Sequence, residues 1–159
     1  MLTDQITPLI LTYNEAPNIE RTLLQLAWAR QIVVIDSFST DETLAILASF
    51  PQVRVYQRAF DTAANQDNFG LDQVTTEWVL SLDADYVLTG DLVDELRRFT
   101  PTPEVDGYWV KFRYCVFGKP LRGTLYPPRM VLYRREKARY IDDGHTQRVR
   151  VAGEAGWLA

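Results

Sequence analysis

The chain has 159 residues, 47% hydrophobic and 24% charged, with a formal net charge of −4. That balance fits a soluble globular domain long enough to bury a core, and it excludes a disordered or low-complexity polypeptide. A single cysteine excludes an internal disulfide framework, and no apolar run approaches the ~20 residues of a membrane helix. The start, Met1-Leu-Thr-Asp4, carries no basic stretch ahead of an apolar one, so no signal peptide is read and a cytoplasmic location is expected.

Ile6 to Leu11 reads as a first strand, followed by a loop over Thr12-Tyr-Asn-Glu15. Pro17 favours a helix start, and Ile19, Leu23 and Leu26 recur at helical spacing to about Arg30. Ile32-Val-Val-Ile35 is a second buried strand ending at Asp36. Ser39 and Glu42 have capping-box spacing, which predicts a helix from near Thr40 with an apolar stripe of Leu44, Leu47 and Ala48, stopped by Pro51. Val53 to Gln57 is a third strand. Asp61 to Val74 is predicted helical, with Gly70 weakening it. Trp78 to Leu82 is a fourth strand, and Asp91 can cap a helix from Leu92 to Phe99.

To this point the order is β-α-β-α-β-α-β, the pattern of parallel strands with helices on both faces. After Asp106 the character changes. Tyr108 to Phe117 alternates with a period near two and predicts one long strand, with Cys115 buried inside it as an inert thiol. Met130–Tyr133 and Arg148–Val151 predict further strands, and the apolar end at Gly156-Trp-Leu-Ala159 predicts a continuation, as of a C-terminally truncated chain. Charge divides in the same place. Residues 1–107 carry 6 basic and 17 acidic side chains, whereas residues 108–159 carry 11 and 4. The basic part suits an anionic partner, a phosphate or an acidic membrane surface, or else the acidic part of the same fold.

The strand Trp78-Val-Leu-Ser-Leu82 ends in Asp83 and Asp85, with a small Ala84 between them. Residues two apart on extended backbone share a face, so two like charges meet at the C-terminal edge of a buried sheet. That edge is where ligands bind in open α/β sheets, and a hard cation such as Mg²⁺ or Mn²⁺ would relieve the repulsion. A bland turn after the strand is the alternative.

Four pieces in order, Leu11-Thr-Tyr-Asn-Glu15, Val34-Ile-Asp-Ser-Phe-Ser-Thr-Asp-Glu-Thr43, Gln66-Asp-Asn68 and Trp78 through Asp85, resemble glycosyltransferase family 2. These are inverting nucleotide-sugar transferases with the GT-A fold, and the nearest flavour is the bacterial branch that builds lipopolysaccharide core and surface glycans. The resemblance implies a three-layer α/β sandwich around a mostly parallel sheet. Residues 1–106 would be the nucleotide-sugar half and residues 107–159 a β-rich acceptor half of one catalytic domain. It implies that Thr12, Tyr13, Glu15, Asp36, Gln66, Asn68 and Asp83 line the donor site, with Asp36 reading the base. Asp85 with Asp83 would hold Mn²⁺ or Mg²⁺, and Asp143 or Asp142, in Tyr140-Ile-Asp-Asp-Gly-His145, would be the catalytic base. Ser37 stands where many relatives carry a second aspartate, Tyr86 where a glutamate is common, and His145-Thr146 where His-Glu is common. Arg129 and Arg134 could meet phosphate or acceptor.

The implied partners are a nucleotide-diphosphate sugar, UDP-linked by this resemblance, and a glycan or lipid-linked acceptor. No nucleic acid is expected, and peripheral contact with the inner face of the membrane would run through the basic half. A truncated module that binds nucleotide-sugar without turnover is the competing reading. A receiver-type signalling domain lacks its acidic pair after the first strand, and a nucleotidyltransferase lacks a glycine-rich basic first loop.

Overall fold

The computed structural model describes residues 2–123, 126–143 and 146–158. Strands β1 (Ile6–Thr12), β2 (Ile32–Asp36), β3 (Val53–Gln57) and β4 (Trp78–Asp83) alternate with helices α1 (Ile19–Gln25), α2 (Thr43–Ala48), α3 (Ala63–Gln73) and α4 (Gly90–Arg97). Seven strands follow: β5 (Val105–Val110), β6 (Cys115–Val116), β7 (Lys119–Pro120), β8 (Arg129–Arg134), β9 (Ala138–Asp143), β10 (Thr146–Val151) and β11 (Glu154–Trp157).

The main sheet has the order β11-β5-β8-β4-β1-β2-β3. β1 pairs in parallel with β2 and β4, β2 with β3, and β5 with β11; β8 runs antiparallel between β4 and β5. Strands β1, β2 and β4 are apolar almost throughout because both their faces are covered. On one face Ile10, Val34, Trp78, Leu80 and Leu82 meet Ile19 and Leu23 of α1, Leu47 of α2 and Leu96 of α4. On the other, Leu9, Val33, Ile35 and Val79 meet Ala64 and Leu71 of α3 and Tyr140 of β9. These are the three layers expected.

Several local expectations are corrected. Ser39 does not cap α2. Its hydroxyl and backbone N–H both donate to Asp36; α2 starts at Thr43 behind Glu42, which makes no side-chain cap bond, and Asp41, just ahead, accepts from the Thr43 N–H at 2.9 Å. Thr89, not Asp91, caps α4 by accepting from the Leu92 N–H at 3.2 Å. α1 ends at Gln25, and the chain goes on in turns closed by Leu26 N–H to Leu23 C=O and Ala29 N–H to Leu26 C=O. Gly70 serves α3: a Cβ there would lie 2.6 Å from Leu9 Cδ1, so the missing side chain lets the helix rest directly on the sheet.

The long strand from Tyr108 to Phe117 breaks at Val110. β6 and β7 form a separate hairpin clear of the main sheet, which leaves Cys115 exposed instead of buried. Arg134 sits opposite Trp78 at the start of β4, far along the strand from Asp83. There it pairs with Glu77 and Asp106 and covers the Trp78 ring at 4.6 Å, at the opposite end of β4 from Asp83. Among the described residues, no helix is long and apolar enough to cross a membrane.

Candidate active site

Parallel register brings the ends of β4, β1 and β2 to one edge. Thr12 is paired with Asp36, and Leu11 with Asp83. Asp36 has 0% exposure, and its carboxylate takes four hydrogen bonds. Oδ1 accepts from Thr12 Oγ1 at 2.8 Å and Ser39 Oγ at 2.6 Å; Oδ2 accepts from the Ser39 N–H at 2.9 Å and Gln57 Nε2 at 3.3 Å. Burial works against the charge, but the donors from Ser39, Thr12 and Gln57 outweigh it and hold the pKa below the ordinary value. Direct reading of a base by Asp36 requires one of these donors to give way.

The loops after β1 and β2 are laced together by the same short polar side chains. The Asn14 N–H donates to Ser39 Oγ, and Asn14 Oδ1 accepts from the Thr40 and Asp41 N–H groups. Asn14 and Phe38 both take left-handed backbone, at φ 54° and 60°. Such a conformation is uncommon for a bulky residue like Phe, and it holds here because the surrounding bonds over-determine it. The result presents two aromatic rings to solvent, Tyr13 at 60% and Phe38 at 52% exposure. Glu15 is spent on the entry to α1: its carboxylate accepts from Asn18 Nδ2 and its N–H donates to Thr43 Oγ1.

Gln66 and Asn68 are struts. Gln66 Nε2 donates to Ser37 Oγ and the Arg58 carbonyl, and its Oε1 accepts from Arg58 Nη1 at 2.7 Å. Asn68 donates to the Tyr140 carbonyl at 3.0 Å and accepts from the Tyr140 N–H at 2.9 Å, which fastens β9 to α3. Between these two lies a residue that composition and spacing did not single out. Asp67 is only 3% exposed, and its Oδ2 has no hydrogen-bond partner. Burial, and then the Asp83 charge, push its pKa up to about 7 against the pull of Arg129. It was visible only as the centre of the Gln66-Asp-Asn68 triplet. Nearby, Tyr140 Oη donates to Ser81 Oγ and meets Tyr133 Oη at 2.9 Å.

Asp83 and Asp85 both stand exposed at the edge, flanking buried Ala84. Thr22 Oγ1 donates to the carbonyls of Ala84 and Tyr86, and Arg21 to that of Asp85, so α1 holds this turn. Arg129 Nη1 donates to Asp83 Oδ2 at 3.2 Å, Tyr86 Oη at 2.8 Å and Tyr126 Oη at 2.9 Å. Burial disfavours the Arg129 charge, yet Tyr86, Asp83 and Tyr126 outweigh it and keep the guanidinium protonated. Tyr86, in the place of a common glutamate, thus helps seat Arg129.

No group of three or more His, Cys, Asp or Glu gathers among the described residues. A divalent cation here would rest on Asp83 and Asp85, a donor set that suits Mg²⁺ or Mn²⁺ sharing their shell with phosphate oxygens. Asp142 is exposed on β9, two residues beyond Tyr140 and on the same strand face. Asp143 is paired with Thr146 in the β9–β10 hairpin; Gly144 and His145 lie outside the described residues.

Comparison with known proteins bears on this arrangement. The family model for glycosyl transferase family 2 matches residues 9–152. An uncharacterized glycosyltransferase of Rickettsia bellii is 32% identical over 109 residues, 68% of this chain and 37% of its own. The lipopolysaccharide core biosynthesis glycosyltransferase LpsC of Rhizobium meliloti is 28% identical over 142 residues, 85% of this chain and 53% of its own. The chain therefore spans between about a third and a half of the length of these relatives. Among solved structures, S. aureus TarS 1-349 in complex with UDP-GlcNAc superposes with a TM-score of 0.66 at 22% identity, covering 82% of this chain and 45% of that one. The fold is GT-A, and the chain belongs to glycosyl transferase family 2.

Proposed function

We propose that this chain carries the donor site of a transferase that moves a sugar from a UDP-linked donor to a hydroxyl of a glycan or lipid-linked acceptor. The observation that carries the reading is the strand-end edge, where Thr12, Asp36 and Asp83 are brought side by side with two exposed aromatic rings and the Asp83/Asp85 pair. TarS, which shares the fold, was solved with UDP-GlcNAc. LpsC, by its name, works in lipopolysaccharide core biosynthesis, which supports a surface-glycan acceptor.

In this reading Tyr13 and Phe38 flank the base, and Asp36 holds the loop that carries them, with Thr12 and Ser39 as the groups it would trade against the base N–H. Asp83 and Asp85 would hold Mn²⁺ or Mg²⁺, which when bound would supply positive charge to offset that developing on the diphosphate leaving group. Arg129 supplies a second positive charge beside it. The acceptor oxygen attacks the anomeric carbon from the face opposite the diphosphate. The carbon–oxygen bond to the diphosphate breaks, the configuration inverts, and the acceptor proton passes to a carboxylate. Asp142 is favoured for that base because it shares a strand face with Tyr140, which reaches Ser81 beside the metal pair; Asp143 is the alternative.

Calorimetry with UDP, with Mn²⁺ and then with excess chelator, tests the reading. Affinity should fall on chelation, and Asp85→Ala should abolish the metal effect while leaving the fold intact. Equal affinity with and without metal would remove the cation from the site. A non-catalytic nucleotide-sugar module is the second reading, favoured by one observation: Arg129 already occupies Asp83. Turnover in a chain of the relatives' full length, lost in Asp142→Asn or Asp143→Asn with UDP binding retained, decides between them.

A further inference from the structure

The β6–β7 hairpin forms a two-stranded sheet of its own, apart from the main sheet. After Val110 the chain leaves the main sheet, and residues 113–123 are exposed without interruption. The hairpin is closed by pairing of Cys115 with Pro120 and Val116 with Lys119, and extended by Leu121 N–H to the Tyr114 carbonyl at 2.8 Å. At its tip Phe117 and Gly118 both take positive φ, 48° and 73°. That backbone suits a tight two-residue turn, but phenylalanine is an unfavourable residue to place in its first position. The ring at that position is 100% exposed. Tyr114, Val116 and Leu121 beside it are each about half exposed.

Charge surrounds this apolar tip with one sign only. From Gly107 to Arg135 there are seven basic side chains and no acidic one. Arg129 and Arg134 turn inward to Asp83, Glu77 and Asp106, and Arg135 lies beside Glu136, which leaves Lys111, Arg113, Lys119 and Arg122 on the hairpin and its stem. Arg113 and Arg122, with Pro120 and Leu121, line a hollow of about 510 Å³. A projecting aromatic ring ringed by cations matches the boundary of an anionic bilayer, where aromatic side chains sit at headgroup level and lysine and arginine meet lipid phosphates. An acidic protein surface would match the cations but would need a pocket shaped to take a lone projecting phenyl ring, whereas a bilayer interface takes one without a shaped pocket.

We infer that the Tyr114–Arg122 hairpin is a membrane-docking element that inserts Phe117 into the interface of an anionic lipid bilayer. It is tied to the strand-end edge. Phe112, at its stem, packs on Tyr86 and Tyr126 with ring centroids 4.9 and 5.2 Å away, and both tyrosine hydroxyls accept from Arg129. Docking would hold that edge close to the lipid surface, where a lipid-linked acceptor would be met. That purpose depends on the proposed function; the docking itself does not.

The test is flotation of the purified chain, without UDP or metal, with vesicles of phosphatidylcholine alone or mixed with phosphatidylglycerol. Binding should occur on the mixed vesicles only and weaken as salt rises. Phe117→Ser should weaken it about tenfold, and Arg113→Glu with Arg122→Glu roughly a hundredfold. Arg150→Glu, exposed on β10, should have little effect, which separates the hairpin from general basicity. Because Phe117 touches no core, its variant should melt with the parent. Cys115, the chain's single cysteine and exposed two residues from the tip, offers a second readout. An environment-sensitive fluorophore attached there should shift to the blue on mixed vesicles. Absence of binding, binding indifferent to Phe117→Ser, or a dimer in light scattering that Phe117→Ser dissolves would each overturn the inference. UDP binding unaffected by any hairpin variant would leave the proposed donor site standing whichever way flotation falls.

Discussion

Replacing Asp67 with asparagine should stabilise the protein, and only at neutral and alkaline pH. Asp67 is buried beneath Asp83, Arg129, Tyr133 and Tyr140, and Oδ2 has no partner to offset its charge. Its pKa is pushed up to about 7 from an ordinary 3.8. The folded state therefore keeps a proton that the unfolded chain gives up. Stability is greatest below about pH 4 as far as this group is concerned, and it is lost as pH rises toward 7. Three units correspond to about 4 kcal/mol as an upper bound. An asparagine amide without partners gives back roughly 1–2 kcal/mol, leaving a net gain of about 2–3 kcal/mol at pH 8. For a chain of this length that is on the order of 5–10 °C in melting temperature. Thermal melts of parent and Asp67→Asn from pH 5 to pH 8, with chelator present throughout, measure it. The two tyrosines and Arg129 do not titrate in that window, so the difference should open steadily with pH and close by pH 5. A constant difference across the range, or a variant less stable at pH 8, would refute the assignment of a raised pKa to Asp67.

Asn68→Ala removes both bonds from α3 to the Tyr140 backbone and should cost about 2–3 kcal/mol in denaturant unfolding, with no rescue by Asn68→Leu. Asp36→Asn should flatten the acid limb of the stability profile. The depressed pKa of Asp36 contributes stability that is present above about pH 4 and lost as pH falls through the folded value, and an uncharged side chain has none to lose. Asp36→Ala should weaken UDP by roughly ten- to hundredfold and free pyrophosphate far less; equal losses would make its role purely architectural. Arg129→Gln should tighten Mn²⁺ binding in the absence of UDP, because Asp83 is released from the guanidinium, and should weaken UDP binding; calorimetry reads both, and unchanged Mn²⁺ affinity would show that Asp83 is not shared.

The first four strands, their parallel direction and the carboxylates that end β2 and β4 were legible in residue order. Apolar runs as short as Ile32–Ile35 fit strands covered on both faces better than helices, and the connections between the strands are punctuated by Pro17 and Pro51. Caps were less legible. Ser39, Asp41, Thr89 and Asp91 are equally good capping residues, and which one serves depends on whether a stronger acceptor, here Asp36, claims it first. Gly70 reads as a helix weakness in one dimension and proves to be where α3 touches Leu9 and Ile35.

The later strands depended on long-range pairing. An alternating stretch from Tyr108 to Phe117 is a possible strand anywhere, but only the part beside β8 finds partners, so pairing stops at Val110 and the remainder projects with Phe117 at its tip. Residue types and their order decided the layers, the sheet edge and the family. The engagement of individual polar groups was decided by tertiary structure alone. Asp36 is saturated, Asp67 is left without a partner on one oxygen, and Arg129 is placed on Asp83 because donors from residues 3 to 46 positions away meet, or fail to meet, each carboxylate in space. Hydrogen bonding and burial of charge are short-range in distance and carry no fixed spacing along the chain.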